Sequence, residues 1–523
     1  MKKSQISFQW VVVSLLITFI ILLPLFFLST SIFAQASPSW QNIRDFALNL
    51  AIVNTIVIVV FTGICTAIIG TGLAIIMTLY DFKCKKLLHA LVVLPIAIPP
   101  YIAAFNYASL LSFTGPIQTF LRNNFGIVTT FSIMNIAGAI FIFTITLYPY
   151  VYLVTRAYIK NNGGNILENA RLLGHGNVYA ICTLILPLLL QAVITGVTFV
   201  TLEVVNDFGV TNYFGIRTLS TLIFSAWYFM YDINLSLRIS LTLVSFVAIY
   251  FFISRLVMRD KKYKIPQTPL KPIYLKGIKC TILLIPIAVV IIGFVVPVLY
   301  MVYITQNINF NSVFQLTIST IYIATIATII ILLLSIILAN TGRFTKLRAF
   351  LRLSNIGYAL PSPVLAIGII SLFVFLQNND LLFGHNLGFS VFMLVFALCI
   401  KYFSLGHSNI EKGYIKVGTT YTESARLLGH GSFSTLLKID IFTLKNAIIS
   451  ASILIFIDII KELPLTLILR SFNFQSLSTR VYMFAINEQL HMAAPYSLAI
   501  VFICSFFVII ASTIGDTNAK TRN

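Results

Sequence analysis

Apolar residues gather in twelve runs long enough for a helical crossing, which takes about 20 residues. They lie near residues 9 to 31, 50 to 78, 87 to 112, 131 to 155, 179 to 202 and 236 to 257, then 278 to 303, 316 to 339, 355 to 376, 388 to 405, 445 to 468 and 495 to 514. None alternates with period two, so a transmembrane β-barrel is excluded. The first run follows Lys2 and Lys3 and ends near Ala34-Gln35-Ala36, as a secretory leader would. Its apolar stretch is longer than the roughly 7 to 15 residues of a leader, and an uncleaved first span is expected.

Composition agrees with the pattern. Of 523 residues, 59% are hydrophobic and 10% charged, against about 25% charged in soluble domains. The chain is therefore read as an all-α integral membrane protein of about twelve transmembrane helices in two parallel-repeat halves of six, both termini cytoplasmic. The excess of +20 at first suggests nucleic acid or anionic lipid. With the amino terminus inside, however, 28 of the 35 Lys and Arg fall on the inner face, including all six from Lys401 to Lys445. Seven fall outside: Arg44, Arg122, Arg217, Arg238, Lys461, Arg470 and Arg480. That bias is the positive-inside rule at work, and nucleic acid is not needed to explain the charge.

Six isolated cysteines and six histidines show no metal-ligand or redox spacing. No stably bound metal is expected. No G-x-x-x-x-G-K-[ST] phosphate loop is present, nor any HExxH, paired-Asp or Ser/His constellation for intramembrane catalysis. The chain is read as a transport subunit rather than an enzyme, with no cofactor of its own.

The chain also repeats itself. Residues 168 to 176 (Glu-Asn-Ala-Arg-Leu-Leu-Gly-His-Gly) return at 423 to 431 with one change, an offset of 255. At that offset Glu203 meets Asp458 and Asp207 meets Glu462. Ala97-Ile98-Pro99-Pro100 has a partner in Ala359-Leu360-Pro361-Ser362-Pro363, and Leu219-Ser220-Thr221 in Leu477-Ser478-Thr479. The expected division is a first half over 1–258, a basic, proline-bearing cytoplasmic linker over 259–277, and a second half over 278–523. Six spans each way makes the repeat parallel, with a pathway between similar bundles.

The duplicated segment falls in loops 160–178 and 411–437, between the fourth and fifth spans of each half. A short helix with an exposed leucine pair, stopped by glycine, can offer a knob to a partner's groove. It can equally dip into lipid headgroups. Here the residues resemble the EAA motif of the membrane subunits of binding-protein-dependent ABC importers. The match is Glu168, Ala170, Leu172, Leu173, Gly174 and Ile185-Leu186-Pro187, and then Glu423, Ala425, Leu427, Leu428 and Gly429. Asn169 and Ser424 replace the middle alanine. Phe442 replaces the second proline and puts the bend there in doubt.

The resemblance implies that these loops dock onto a homodimeric cytoplasmic ATP-binding subunit that uses ATP and Mg. It also implies a periplasmic or surface-bound substrate-binding protein outside, and a bacterial cytoplasmic membrane location. The fused two-half type resembles ferric-iron, thiamine and aminophosphonate importers. The stretches Asn206-Asp207-Phe208-Gly209 and Lys461-Glu462-Leu463-Pro464 are most similar to the ferric-iron type. A major-facilitator secondary transporter, also six plus six, is the rival reading.

Glu203, Asp207, Asp458 and Glu462 sit at the predicted outer ends of the fifth and eleventh spans, four apart within each pair and so on one helical face if the helix continues. They line the outer mouth for a hard cation such as Fe3+, or they pair with Lys461, Arg470 or Arg217 to fix a gate or dock the carrier. Pro99 and Pro361 interrupt matched spans. They mark a translocation path or a static kink, with Tyr101 and Phe105 as packing residues.

Overall fold

The computed structural model describes residues 8–30, 37–128, 131–172, 176, 179–258, 273–274, 281–306, 309–379, 391–471 and 474–520; for residues 30, 163–171, 180–182, 273 and 513–520 only the backbone is described. Nine helices there are long and apolar enough to cross a membrane: Phe8–Ser29, Ser39–Leu79, Ile136–Asn162, Thr183–Asn206, Ile233–Met258, Thr281–Ile304, Phe310–Phe344, Val391–Val417 and Leu490–Ser512. Three further apolar segments are bent pairs, which bring the number to twelve if each is one crossing. Among the described residues the sheet content is one two-residue parallel pairing, Tyr80–Asp81 with Ile273–Tyr274.

The bent pairs have a local cause. A residue before proline is pushed out of the helical region. Ile98 and Leu360 both adopt extended backbone, and Pro99 and Pro361 cap the helices that follow. Lys85–Ala97 and Pro100–Leu110 therefore meet at 89°, and Arg348–Ala359 and Ser362–Asn378 at 110°. These prolines make full breaks rather than kinks. The third bend reverses an expectation: Ser432–Thr443 and Lys445–Lys461 meet at 76° at the copy where Phe442 replaces proline. Thr183–Asn206, which contains Pro187, is a single span: the wide helical turn Ala180–Ile185 runs straight into Leu186–Asn206.

The two repeated loops also differ. The polar stretch Asn161–Asn165 is helical, inside Ile136–Leu172. In the second copy Gly418, at φ +74°, ends Val391–Val417, and a separate helix Thr420–Leu427 begins. The positive φ is open to glycine and strained for other residues, so the second loop can turn where the first runs on.

Without a hydrophobic force between helices in lipid, close approach depends on small residues. A Cβ on Gly70 would fall 2.8 Å from Val151 Cβ, and one on Gly196 2.7 Å from Val151 Cα. These two glycines clamp Ile136–Asn162 between Ser39–Leu79 and Thr183–Asn206. Gly406 plays the same part between Val391–Val417 and Phe310–Phe344, 2.6 Å from Ser335 Oγ.

The helices also cross over. The N-terminal helix lies on Ser362–Asn378, where a Cβ on Gly368 would meet Leu28 Cγ at 2.9 Å. Thr281–Ile304 lies on the break near Pro95, with Tyr107 Oη donating to the Ile292 carbonyl at 2.5 Å. Gly70→Ala should lower stability in detergent by about 1–3 kcal/mol through overpacking, although alanine is the better helix former. Gly72→Ala, with open space around it, should not. Thermal unfolding of the two variants checks this.

Candidate functional site

The centre of the molecule is polar. Thr183–Asn206 ends at Asn206 and Lys445–Lys461 ends at Lys461, positions related by the offset of 255. The next residue in each case, Asp207 and Glu462, is extended. The acids of each pair are therefore not on one helical face. Asp207 Oδ1 instead accepts from Val210 N–H at 2.8 Å, and Glu462 Oε1 from Leu465 N–H at 3.1 Å. Each second acid holds the start of the short helix after it, Gly209–Tyr213 or Pro464–Leu469. Capping boxes at Thr218/Thr221 and Ser476/Thr479 then start Leu219–Tyr228 and Leu477–Ile486.

The four acids meet in the interior. Together with Tyr101, Tyr150, Asn206, Tyr402, Lys461, Pro99 and Pro100 they line a cavity of about 60 Å3. Glu462 is 5% exposed. Glu203 lies 3.5 Å from the hydroxyls of both Tyr150 and Tyr358. Tyr402 donates to Glu462 at 2.5 Å, and Lys461 pairs with Asp458 at 3.1 Å.

Lys401 corrects the charge assignment. Counted on the cytoplasmic side, it is 3% exposed within Val391–Val417, and its ammonium donates to Asn206 Oδ1 at 3.0 Å and the Leu360 carbonyl at 2.7 Å. Lys461, counted outside, belongs to the same cluster. Neither is a loop charge, because each has bonding partners that repay its loss of water.

The contacts cross the sequence midpoint. Asn206 Oδ1 also accepts from Ser362 N–H at 2.5 Å, beside the Pro361 break. Lys461, its equivalent by offset, reaches the Ile96 carbonyl at 3.4 Å beside the Pro99 break. Among the described residues, Lys461 alone of the partners expected for the acids pairs with one of them, and the Arg217 and Arg470 side chains take no part in the cluster's hydrogen bonds or ion pairs. No group of three His, Cys, Asp or Glu side chains among the described residues is disposed to hold a metal.

The second repeated loop is fully described. Leu427 and Leu428 are 89% and 81% exposed, Glu423 is exposed, and Gly429 ends the turn at φ +86°. The opposite face is anchored. Ala425 is buried, and Thr422 Oγ1 donates to Asp440 at 2.9 Å. Arg343 pairs with Asp440 at 3.2 Å, donates to Thr422, and stacks 4.2 Å from the Tyr414 ring centre. In the first copy Glu168, Ala170 and Leu172 lie on the long helix, with Leu172 exposed. The side chains of Glu168 and Ala170, and all of Leu173 and Gly174, lie outside the described residues.

Lys401, Asn206, Tyr150, Tyr358, Tyr402, Arg343 and Asp440 were not singled out by sequence reasoning as members of a site. An intramembrane charge is usually functional, and that signal could have flagged Lys401, which lies inside the apolar run near 388 to 405.

Apolar helices packed around a charged, hydrogen-bonded centre define a polytopic membrane protein. Residues 70–263 match the family described as binding-protein-dependent transport system inner membrane component. The sulfate transport system permease protein CysT of Salmonella typhimurium is 30% identical over 199 residues, 37% of this chain and 69% of that protein. The Fe(3+)-transport system permease protein FbpB 2 of Haemophilus influenzae is 21% identical over 466 residues, 86% of each chain. The probable transport system permease protein NifC of Clostridium pasteurianum is 26% identical over 229 residues, 42% of this chain and 75% of that one. The chain belongs to the binding-protein-dependent transport system inner membrane component family, and the major-facilitator reading falls away.

Lys401→Met should lower stability by about 1–3 kcal/mol, because it strips a donor from the buried Leu360 carbonyl and from Asn206. Thermal unfolding of the purified variant measures it.

Proposed function

We propose that this chain is the membrane-spanning subunit of an ATP-driven importer of ferric iron in a bacterial cytoplasmic membrane. An extracytoplasmic binding protein delivers the ion, and loops 160–178 and 411–437 couple transport to a cytoplasmic ATP-binding dimer. The observation that carries the reading is the alignment with FbpB 2, which runs over 86% of both chains, whereas the sulfate permease of Salmonella aligns with 37% of this one. A fused chain with halves 1–258 and 278–523 accounts for both lengths. The recurring acid-to-backbone bonds, proline breaks and capping boxes support that division.

The central cluster favours a small cation. With every group ionised, four carboxylates against two ammoniums leave it formally negative, which opposes an oxyanion such as sulfate. A 60 Å3 cavity holds a few waters or one partly hydrated ion, since each water needs about 10–15 Å3 on this measure. Thiamine-sized molecules occupy pockets of roughly 300 Å3 or more.

Deleting the gene should abolish high-affinity uptake of 55Fe(III) and leave 35S-sulfate uptake unchanged; the opposite pattern would replace iron with sulfate. Changing Leu427 and Leu428 to Asp alters side chains that are 89% and 81% exposed. ATPase stimulation by loaded binding protein should fall at least tenfold while the chain stays inserted. Retained stimulation would remove that loop from the coupling path.

A further inference from the structure

Within the central cavity the acids are mostly committed. Glu203 takes two tyrosine hydroxyls, Asp458 takes Lys461, Glu462 takes Tyr402 and a backbone N–H, and Asp207 takes a backbone N–H. One polar group is not committed. Tyr101 is 2% exposed and lines the cavity, and its hydroxyl is buried without a hydrogen-bond partner among the described residues. A buried, unsatisfied hydroxyl costs about 1–3 kcal/mol. An isosteric phenylalanine would avoid that cost if the ring served packing alone.

The fold places that hydroxyl deliberately. Tyr101 stands in the first turn of Pro100–Leu110, just after the Pro99 break. Gly209 makes room for its ring: a Cβ there would lie 2.6 Å from Tyr101 Cβ and 3.0 Å from Leu463 Cδ2. Gly209 is two residues past Asp207, and Leu463 directly follows Glu462. Tyr101 is therefore wedged between the two turns that carry the second acid of each repeat. Asp207 and Glu462 line the same cavity.

We infer that Tyr101, Asp207 and Glu462 form a transient subsite for the transported ion, a hard trivalent cation taken up by one phenolate and two carboxylate oxygens. The inference rests on the ferric-iron reading above. Hard cations prefer oxygen donors, and a phenol gives up its proton to water when the cation binds its oxygen. Tyr101 thus changes from the packing residue its sequence suggested into a ligand. Lys461 and Lys401 then serve as resident positive charges that balance the acids while the ion is absent.

The test uses the detergent-solubilised complex of this chain with its ATPase, titrated with Fe3+ as ferric citrate, beside 55Fe uptake in cells. Wild-type complex should develop visible tyrosinate-to-iron charge-transfer absorption. Tyr101→Phe should lose that absorption and at least tenfold of uptake while thermal stability holds or rises, because the unpaired hydroxyl is gone. Asp207→Asn, whose amide oxygen can still accept from Val210, should weaken Fe3+ binding at least tenfold. Retention of both absorption and uptake by Tyr101→Phe overturns the subsite. Iron uptake by wild type with no such absorption overturns the subsite and leaves the ferric reading standing. No iron uptake by wild type overturns the ferric reading itself, and the subsite with it.

Discussion

A buried ammonium must be surrounded by oxygen or it cannot stay charged in an apolar interior, and the architecture is arranged around that demand at Lys401. Its partners, Asn206 and the Leu360 carbonyl, lie on opposite sides of the sequence midpoint. The Leu360 carbonyl is usable because the following proline forces the chain out of helix, freeing an oxygen that a continuous span would have spent internally. Asn206 is in reach because its helix ends there and Asp207 turns the chain away. The helix break and the helix end both serve one charge.

The same logic runs in the reverse direction through Lys461, which reaches the Ile96 carbonyl at the other proline break. Two breaks and two helix ends thus meet at one seam. The partners within it are local: Asp458 pairs with Lys461, and tyrosine hydroxyls donate to Glu203 and Glu462. Replacing such a centre with apolar residues would often cost a protein no stability. Its place where the two proline breaks and the two helix ends meet is what a permease with a central path needs.

Much of this was legible in the chain. Spans, repeat, proline breaks and the four acids are signals of composition and short spacing. Lys401 was not, because a lysine at the edge of an apolar run looks like a topology charge until its partners, 41 and 195 residues distant, are known. The Arg343–Asp440 lock beneath the second loop was hidden likewise by a separation of 97 residues. Phe442 misled for a different reason: the bend there depends on the break at Leu444, not on proline. Helical spacing misled for the acid pairs, because each helix stops one residue before the second acid.

The proposed passage of a ferric ion through this polar seam requires ATP hydrolysis by the partner subunit. Proteoliposomes holding the chain with its ATPase, supplied with loaded binding protein outside and ATP inside, measure it most directly. ATP-dependent accumulation of 55Fe(III), with no accumulation of 35S-sulfate, is the predicted result. Sulfate accumulation, or iron accumulation that proceeds without ATP, would contradict it.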